Sequence, residues 1–176
     1  MTDPTTADLP SFPYHPDPLA TGSVVPSDTE CLSCGRRRGY VYAGPVYAVT
    51  DIGDELCPWC IADGSAAERF EALFTEVDGQ VPMDVVRAVA QRTPGFSAWQ
   101  QERWLTHCGD AALFLGPAGA PELEPCPDAL ETLRHDLGPL GDTEAFLAAL
   151  DAGGQPTAYL FRCRHCDRHL AYADFT

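Results

Sequence analysis

Six of the eight cysteines fall in three Cys-x-x-Cys pairs, Cys31/Cys34, Cys57/Cys60 and Cys163/Cys166. A turn of this kind presents two soft sulfurs to one ion, and two such turns complete the tetrahedron that zinc prefers. The first two pairs give C-x2-C-x22-C-x2-C, a spacing that predicts one zinc held by Cys31, Cys34, Cys57 and Cys60. A competing reading makes "CPWC" a redox dithiol, because a thiol at a helix N-terminus is acidified. That reading lacks the buried strand expected before such a motif in a thioredoxin-like unit.

The third pair needs ligands from elsewhere. His107 and Cys108, in "THCGD", would complete a three-cysteine, one-histidine site with Cys163 and Cys166. Cys108 with Asp110 or His169 is a second possibility, and an empty thiol turn a third. His165 sits inside the knuckle, where its ring is expected to point away from the ion. Two zinc ions per chain follow from the first partition, with Cys126 in "EPCP" left as a lone thiol and His135 solvated on a polar helix. If Cys108, Cys163 and Cys166 were the only ligands of the second ion, water would take the fourth position. His107 or Asp110 could then act as acid or base in a zinc-dependent hydrolase. Thiolates donate much charge and make a zinc a poorer Lewis acid, which weighs against that alternative. "YHPDP" offers His15 and Asp17 either as a base or open metal site with Asp110, or as a turn in which Asp17 bonds to backbone. The turn is favoured. The sequence has no Gly-rich phosphate loop, nucleophile elbow or paired-His helix motif.

At 176 residues and 45% hydrophobic content, the chain can bury a core without metal staples. The N-terminus lacks a basic stretch followed by an apolar one, and no window of about 18 apolar residues occurs. A cytoplasmic location is therefore expected, and in a reducing compartment cysteines serve as metal ligands or catalytic thiols. A net charge of −15 and a pI near 4.4 argue against nucleic acid and anionic membranes and favour a basic protein partner. All eleven cations are Arg, and Arg36, Arg37, Arg38, Arg162, Arg164 and Arg168 flank the first and third pairs. There they are expected to offset the charge of zinc-bound thiolates.

These residues must be positioned by an α+β fold, a treble-clef or zinc-ribbon-like module packed on a small helical and β-hairpin body. Residues 1–30, with five acids, six prolines and no positive side chain, should form an extended arm that packs on the body through Phe12, Tyr14, Leu19 and Val25. Residues 31–75 read as the zinc module: knuckle, hairpin of "YVY" and "PVYAV", second cysteine pair, then a helix from Asp63 or Ser65 to about Phe74. Residues 76–176 read as a helical region closed by a C-terminal knuckle hairpin, the whole forming one unit. Helices are expected at "PMDVVRAVAQR", around Trp99 and Trp104 up to Gly109, at "ALETLRHDL" and from Asp142 or Thr143 to about Leu150. Strands are expected at "ALFL", "TAYLFRC" and "HLAYADF", with residues 116–127 a loop.

"FPYHPDPLATGSV", "CLSCG" with "RGYVYAGPVY", "LCPWCIADGSAAERF", "RTPGFSAWQQERWLTHCGDAALFLG" and "YLFRCRHCDRHLAYAD" together resemble the CbrC family of small bacterial proteins, over residues 11–174. The resemblance places the family's cysteine pairs at Cys31/Cys34, Cys57/Cys60 and Cys163/Cys166, and its His-Cys-Gly-Asp block at His107 to Asp110. It implies an association with tolerance of an E-type colicin and supplies no catalytic residue. The expected function is thus zinc-dependent protein–protein interaction, with an immunity-like role against a basic toxin domain.

Overall fold

The computed structural model describes residues 8–138 and 141–174; the first seven residues of the expected arm lie outside them. The elements run β1 (Val24–Pro26), β2 (Tyr40–Tyr42), α1 (Pro58–Ala62), α2 (Ser65–Phe70), β3 (Val77–Asp78), α3 (Met83–Arg92), β4 (Trp104–His107), β5 (Asp110–Ala111) and β6 (Leu113–Ala118), then α4 (Ala120–Leu123), α5 (Pro127–Leu137), α6 (Thr143–Ala148), β7 (Thr157–Arg162) and β8 (His169–Asp174). The strands form sheets β1–β2, β3–β4–β5 and β6–β7–β8. This is a mixed α+β arrangement. Among the described residues no helix is long and apolar enough to cross a membrane.

The β6–β7–β8 sheet is antiparallel and buried on both faces. Side chains alternate across a strand, so Tyr159 and Phe161 of β7 enter an aromatic core with Phe96, Trp104, Phe114 and Tyr172. Ala158 and Leu160 face the other way, onto Leu123, Leu133, Leu147 and Leu150 from the helical layer. A bulge between Phe114 and Gly116 shifts the β6 register by one residue. Phe114 therefore joins the aromatic core while Ala118, an even number of residues later, joins the helical one. A third core gathers Phe12, Tyr42, Ile52, Leu56, Ile61 and Phe74 around Cys31, Cys57 and Cys60.

Four local expectations are corrected. "YVY" pairs with Val24–Pro26 of the arm, not with "PVYAV", because Pro45 has no N–H for a ladder and the chain turns until Tyr47 bridges Leu73. The helix expected from Asp63 or Ser65 to about Phe74 does start at Ser65, after the left-handed Gly64, but ends at Phe70, and a separate short helix, Pro58–Ala62, precedes it. No helix carries Trp99 and Trp104. The backbone N–H groups of Trp99, Gln100 and Arg103 are taken by the Tyr159 hydroxyl, the Asp174 carboxylate and the Tyr172 hydroxyl, and Trp104 opens strand β4 with its ring fully buried. The segment expected as loop after Gly116 completes β6 and forms the short helix α4. The helices at Met83–Arg92, Pro127–Leu137 and Thr143–Ala148 match the apolar spacing, and Asp142 caps the last by accepting from the Ala145 N–H.

The arm is fastened by a buried histidine. His15 donates from Nδ1 to the Pro94 carbonyl at 2.7 Å, which leaves Nε2 to accept from the Thr21 hydroxyl at 2.7 Å; its ring meets Trp104 and Phe114 edge-on. Burial lowers its pKa from 6.5 to about 4, so the native ring stays neutral where an unfolded chain would protonate. The unfolded state then binds more protons between those values. The His15 contribution is full above pH 6.5 and is lost as the pH falls toward 4, by about 3 kcal/mol. In denaturant melts from pH 7 to 4, His15→Gln should lose less stability than the parent by about that amount; parallel pH curves would contradict this assignment.

Candidate metal centres

Two groups of four side chains each bring their ligand atoms within 4.8 Å of one another: Cys31, Cys34, Cys57 and Cys60, and His107, Cys108, Cys163 and Cys166. Sulfurs on a tetrahedral zinc, at about 2.3 Å from the ion, lie roughly 3.8 Å apart. In the first group Cys31–Cys60 and Cys34–Cys57 are each separated by 3.9 Å; in the second, Cys108–Cys166 by 3.8 Å. His107 turns Nδ1 inward, 3.2 Å from the Cys108 sulfur and 3.4 Å from that of Cys166. Both donor sets fit a four-coordinate soft ion.

The first knuckle closes with a bond from the Cys31 N–H to the Arg36 carbonyl at 2.9 Å, and Gly35 takes the left-handed conformation that the turn demands. The second knuckle repeats it: the Cys163 N–H bonds the Arg168 carbonyl at 2.8 Å, with Asp167 left-handed at the matching position. Cys57 stands at the N-cap of α1 and places Cys60 one turn further on. The Cys57 thiol and N–H, the latter 3.2 Å from the Cys31 sulfur, pull the Cys31 thiol well below its ordinary range. Burial pushes Cys163 up, but the N–H groups of His165 and Cys166 outweigh it and bring the thiol down to about 6. Both environments favour the thiolate that a metal requires.

His107 and Cys108 reach the second group through a hairpin. His107 pairs with Asp110 across the two-residue turn Cys108–Gly109, with φ of 52° and 74°, the both-positive pattern that fits the right-handed twist of the strands. The same turn gives Asp110 its place. Its carboxylate accepts from the Ala111 N–H at 2.8 Å, the Tyr14 hydroxyl at 2.9 Å, Arg164 at 3.0 Å and His165 Nε2 at 2.9 Å. Burial raises its pKa, but the bonds from His165 and Tyr14 lead those that outweigh it, and the carboxyl is held below the usual range.

The other candidates go elsewhere. His165 points to Asp110, away from the sulfurs, as its place inside the knuckle suggests. His169 belongs to Asp128, which accepts its N–H at 2.6 Å. His15 is in the core and Asp17 accepts from the Ala20 N–H in a turn, so neither joins Asp110 in a site. Cys126 is buried at the N-cap of α5, and His135 is exposed beside Asp136. The flanking arginines bind oxygens and rings: Arg37 the Asp28 carbonyl, Arg38 the face of Trp59, Arg164 Asp110, and Arg168 Glu131. The contact that sequence reasoning missed is Tyr14 on Asp110, ninety-six residues apart; its only signal was a polar tip on an otherwise apolar anchor of the arm.

The profile of a family described as "Uncharacterised protein family (UPF0167)" matches residues 9–175. A UPF0167 protein of Mycobacterium bovis is 54% identical over 179 residues, covering 97% of this chain and 96% of its own. One from Pseudomonas aeruginosa is 45% identical over 175 residues, covering 96% of this chain and 98% of its own. No solved structure matches.

Removing the Asp110 carboxylate strands an arginine, a histidine and a tyrosine hydroxyl at once. Asp110→Ala should destabilise the fold by about 2–4 kcal/mol and Tyr14→Phe by about 1 kcal/mol, both measured by denaturant unfolding. Asp110→Ala unfolding at the parental midpoint would mean that the carboxylate ties nothing.

Proposed function

The chain belongs to the UPF0167 family, and from its two four-ligand clusters we propose that it is a two-zinc protein acting by binding another protein, a basic one. The observation that carries this reading is His107 Nδ1 at 3.2 and 3.4 Å from two thiols of the second cluster. A fourth protein ligand closes the coordination sphere, and a closed site serves structure where a water-bearing site serves chemistry. Zinc is the metal favoured by thiolate with imidazole in a tetrahedron. The first cluster reads as a treble-clef-like module: a knuckle, the strand β2, and a second pair riding on the start of α1. We take residues 31–75 as that module, residues 8–30 as the described part of an arm that packs on the body, and the rest as that body, closed by the second ion.

The hydrolase alternative requires a vacant position on the second ion and a free acid or base beside it. His107 would fill the first, and Asp110 is engaged by four donors. The partner reading draws on charge. A net charge of −15 accelerates encounter with a cationic surface, and nucleases among toxins carry such surfaces to grip phosphate. An immunity-like role toward a basic toxin domain, in the cytoplasm, is the form of this reading that the resemblance to the CbrC family suggests.

Elemental analysis of the purified protein should give two zinc per chain, falling to about one in Cys163→Ser and about one in Cys57→Ser, because a four-ligand site that loses a thiolate empties. One zinc in both parent and Cys163→Ser defeats the second site. For the partner, a pull-down with basic nuclease toxin domains should recover a complex that weakens as salt rises; capture of none, with unchanged tolerance on overexpression, defeats the immunity-like role.

A further inference from the structure

The two clusters differ in what can reach them. Cys31, Cys57 and Cys60 are buried and Cys34 is half-buried, whereas Cys108 and Cys166 are both exposed. The sulfurs of these two exposed residues lie 3.8 Å apart. The remaining thiol of that cluster, Cys163, is buried, with its sulfur 3.4 Å from the His165 N–H and 4.0 Å from the His107 carbonyl. An oxidant arriving from solvent thus meets the two exposed cysteines, and each has the other's sulfur 3.8 Å away as a resolving partner.

We propose that Cys108 and Cys166 are a reversible oxidative-modification site, at which a hydroperoxide forms a disulfide and frees the ion of the second cluster alone; this rests on the two-zinc reading above. One thiolate attacks the peroxide: an S–O bond forms, the O–O bond breaks, and hydroxide or alkoxide leaves. Sulfur is oxidised by two electrons and the peroxide is reduced by two. The second thiolate then displaces hydroxide from the sulfenic sulfur, forming S–S as S–O breaks. A disulfide needs the sulfurs at about 2.05 Å, and the movement falls on Cys108, which rides a two-residue turn outside the core. Only His107 Nδ1 and the Cys163 sulfur then remain for the ion, half of what zinc holds in a closed site.

The fold around the emptied site has other ties. Asp110 still joins the hairpin to Arg164, His165 and Tyr14, and the aromatic core of Trp104, Phe114, Phe161 and Tyr172 does not depend on the ion. Oxidation therefore releases metal and loosens the exposed tips of β4–β5 and of the second knuckle, leaving the sheet in place. Reduction by a dithiol restores both thiolates.

The test uses the full zinc-loaded chain, hydrogen peroxide and a chromogenic zinc chelator, followed by peptide mass mapping under non-reducing conditions. One of two zincs should be released, with a Cys108–Cys166 cross-link about 2 Da lighter than the two thiols and an unchanged far-ultraviolet circular dichroism spectrum. Dithiothreitol with added zinc should reverse it. Cys108→His keeps four donors without the facing sulfur and should release its second zinc at least about tenfold more slowly. Loss of both ions together, loss of neither, or a cross-link at Cys163–Cys166 overturns the proposal whether or not the variant loads metal. A chain that holds one zinc before peroxide defeats the two-zinc reading, and this site with it. Two zincs that peroxide does not separate defeat this inference alone.

Discussion

The carboxylate of Asp110 is the point where three distant stretches of chain meet. It sits at the base of a two-residue turn, binds its own neighbour's N–H, and accepts from Tyr14 in the arm and from Arg164 and His165 in the second knuckle. The Tyr14 hydroxyl and the Ala111 N–H are buried and recover through it a partner for the water they lose, while Arg164 and His165 reach it from the half-exposed rim. The guanidinium of Arg164 also lies over the Tyr14 ring at 4.6 Å. These contacts hold the hairpin against the knuckle, with His107 and Cys108 opposite Cys163 and Cys166.

The two knuckles are the same local device in different surroundings. Both close with the first cysteine's N–H on the carbonyl five residues later, and both place a left-handed residue after the second cysteine. The first is embedded among Tyr42, Leu56, Ile61 and Phe74, so that cluster forms part of a hydrophobic core. The second rides on the rim of the β7–β8 ladder, where Cys163 is buried but Cys166, and Cys108 facing it from the β4–β5 turn, are exposed. The same knuckle therefore occurs in a protected cluster of four cysteines and in a more accessible cluster of three cysteines and a histidine within one chain.

The sheet that carries the second knuckle is itself an economical piece of packing. β7 is buried on both faces, sending aromatics one way and small or branched aliphatics the other. The bulge in β6 lets its two ends serve different cores, which a regular strand could not do. The backbone donors of residues 99, 100 and 103 end on side chains of this sheet, so an irregular segment is ordered without secondary structure of its own.

The cysteine spacing by itself pointed to Cys31, Cys34, Cys57 and Cys60 as one group, because two-residue loops between sulfurs have few geometries; for the third pair it left His107 with Cys108 as one choice among several, and the tertiary structure brought those four together. Apolar periodicity likewise determined α3, α5 and the closing β7–β8 hairpin, where local pattern and burial agree. What it could not decide were the places where remote groups override local preference. "WQQERWL" reads as helix until the tyrosine hydroxyls and Asp174 claim its amides, and "PVYAV" reads as a strand until Pro45 turns it away from β2. Whether Cys108 and Cys166 are buried or in solvent, and that Tyr14 rests on Asp110, were likewise decided by tertiary structure alone. Exposure and long-range hydrogen bonding depend on what the rest of the chain packs against, and no window of sequence contains that.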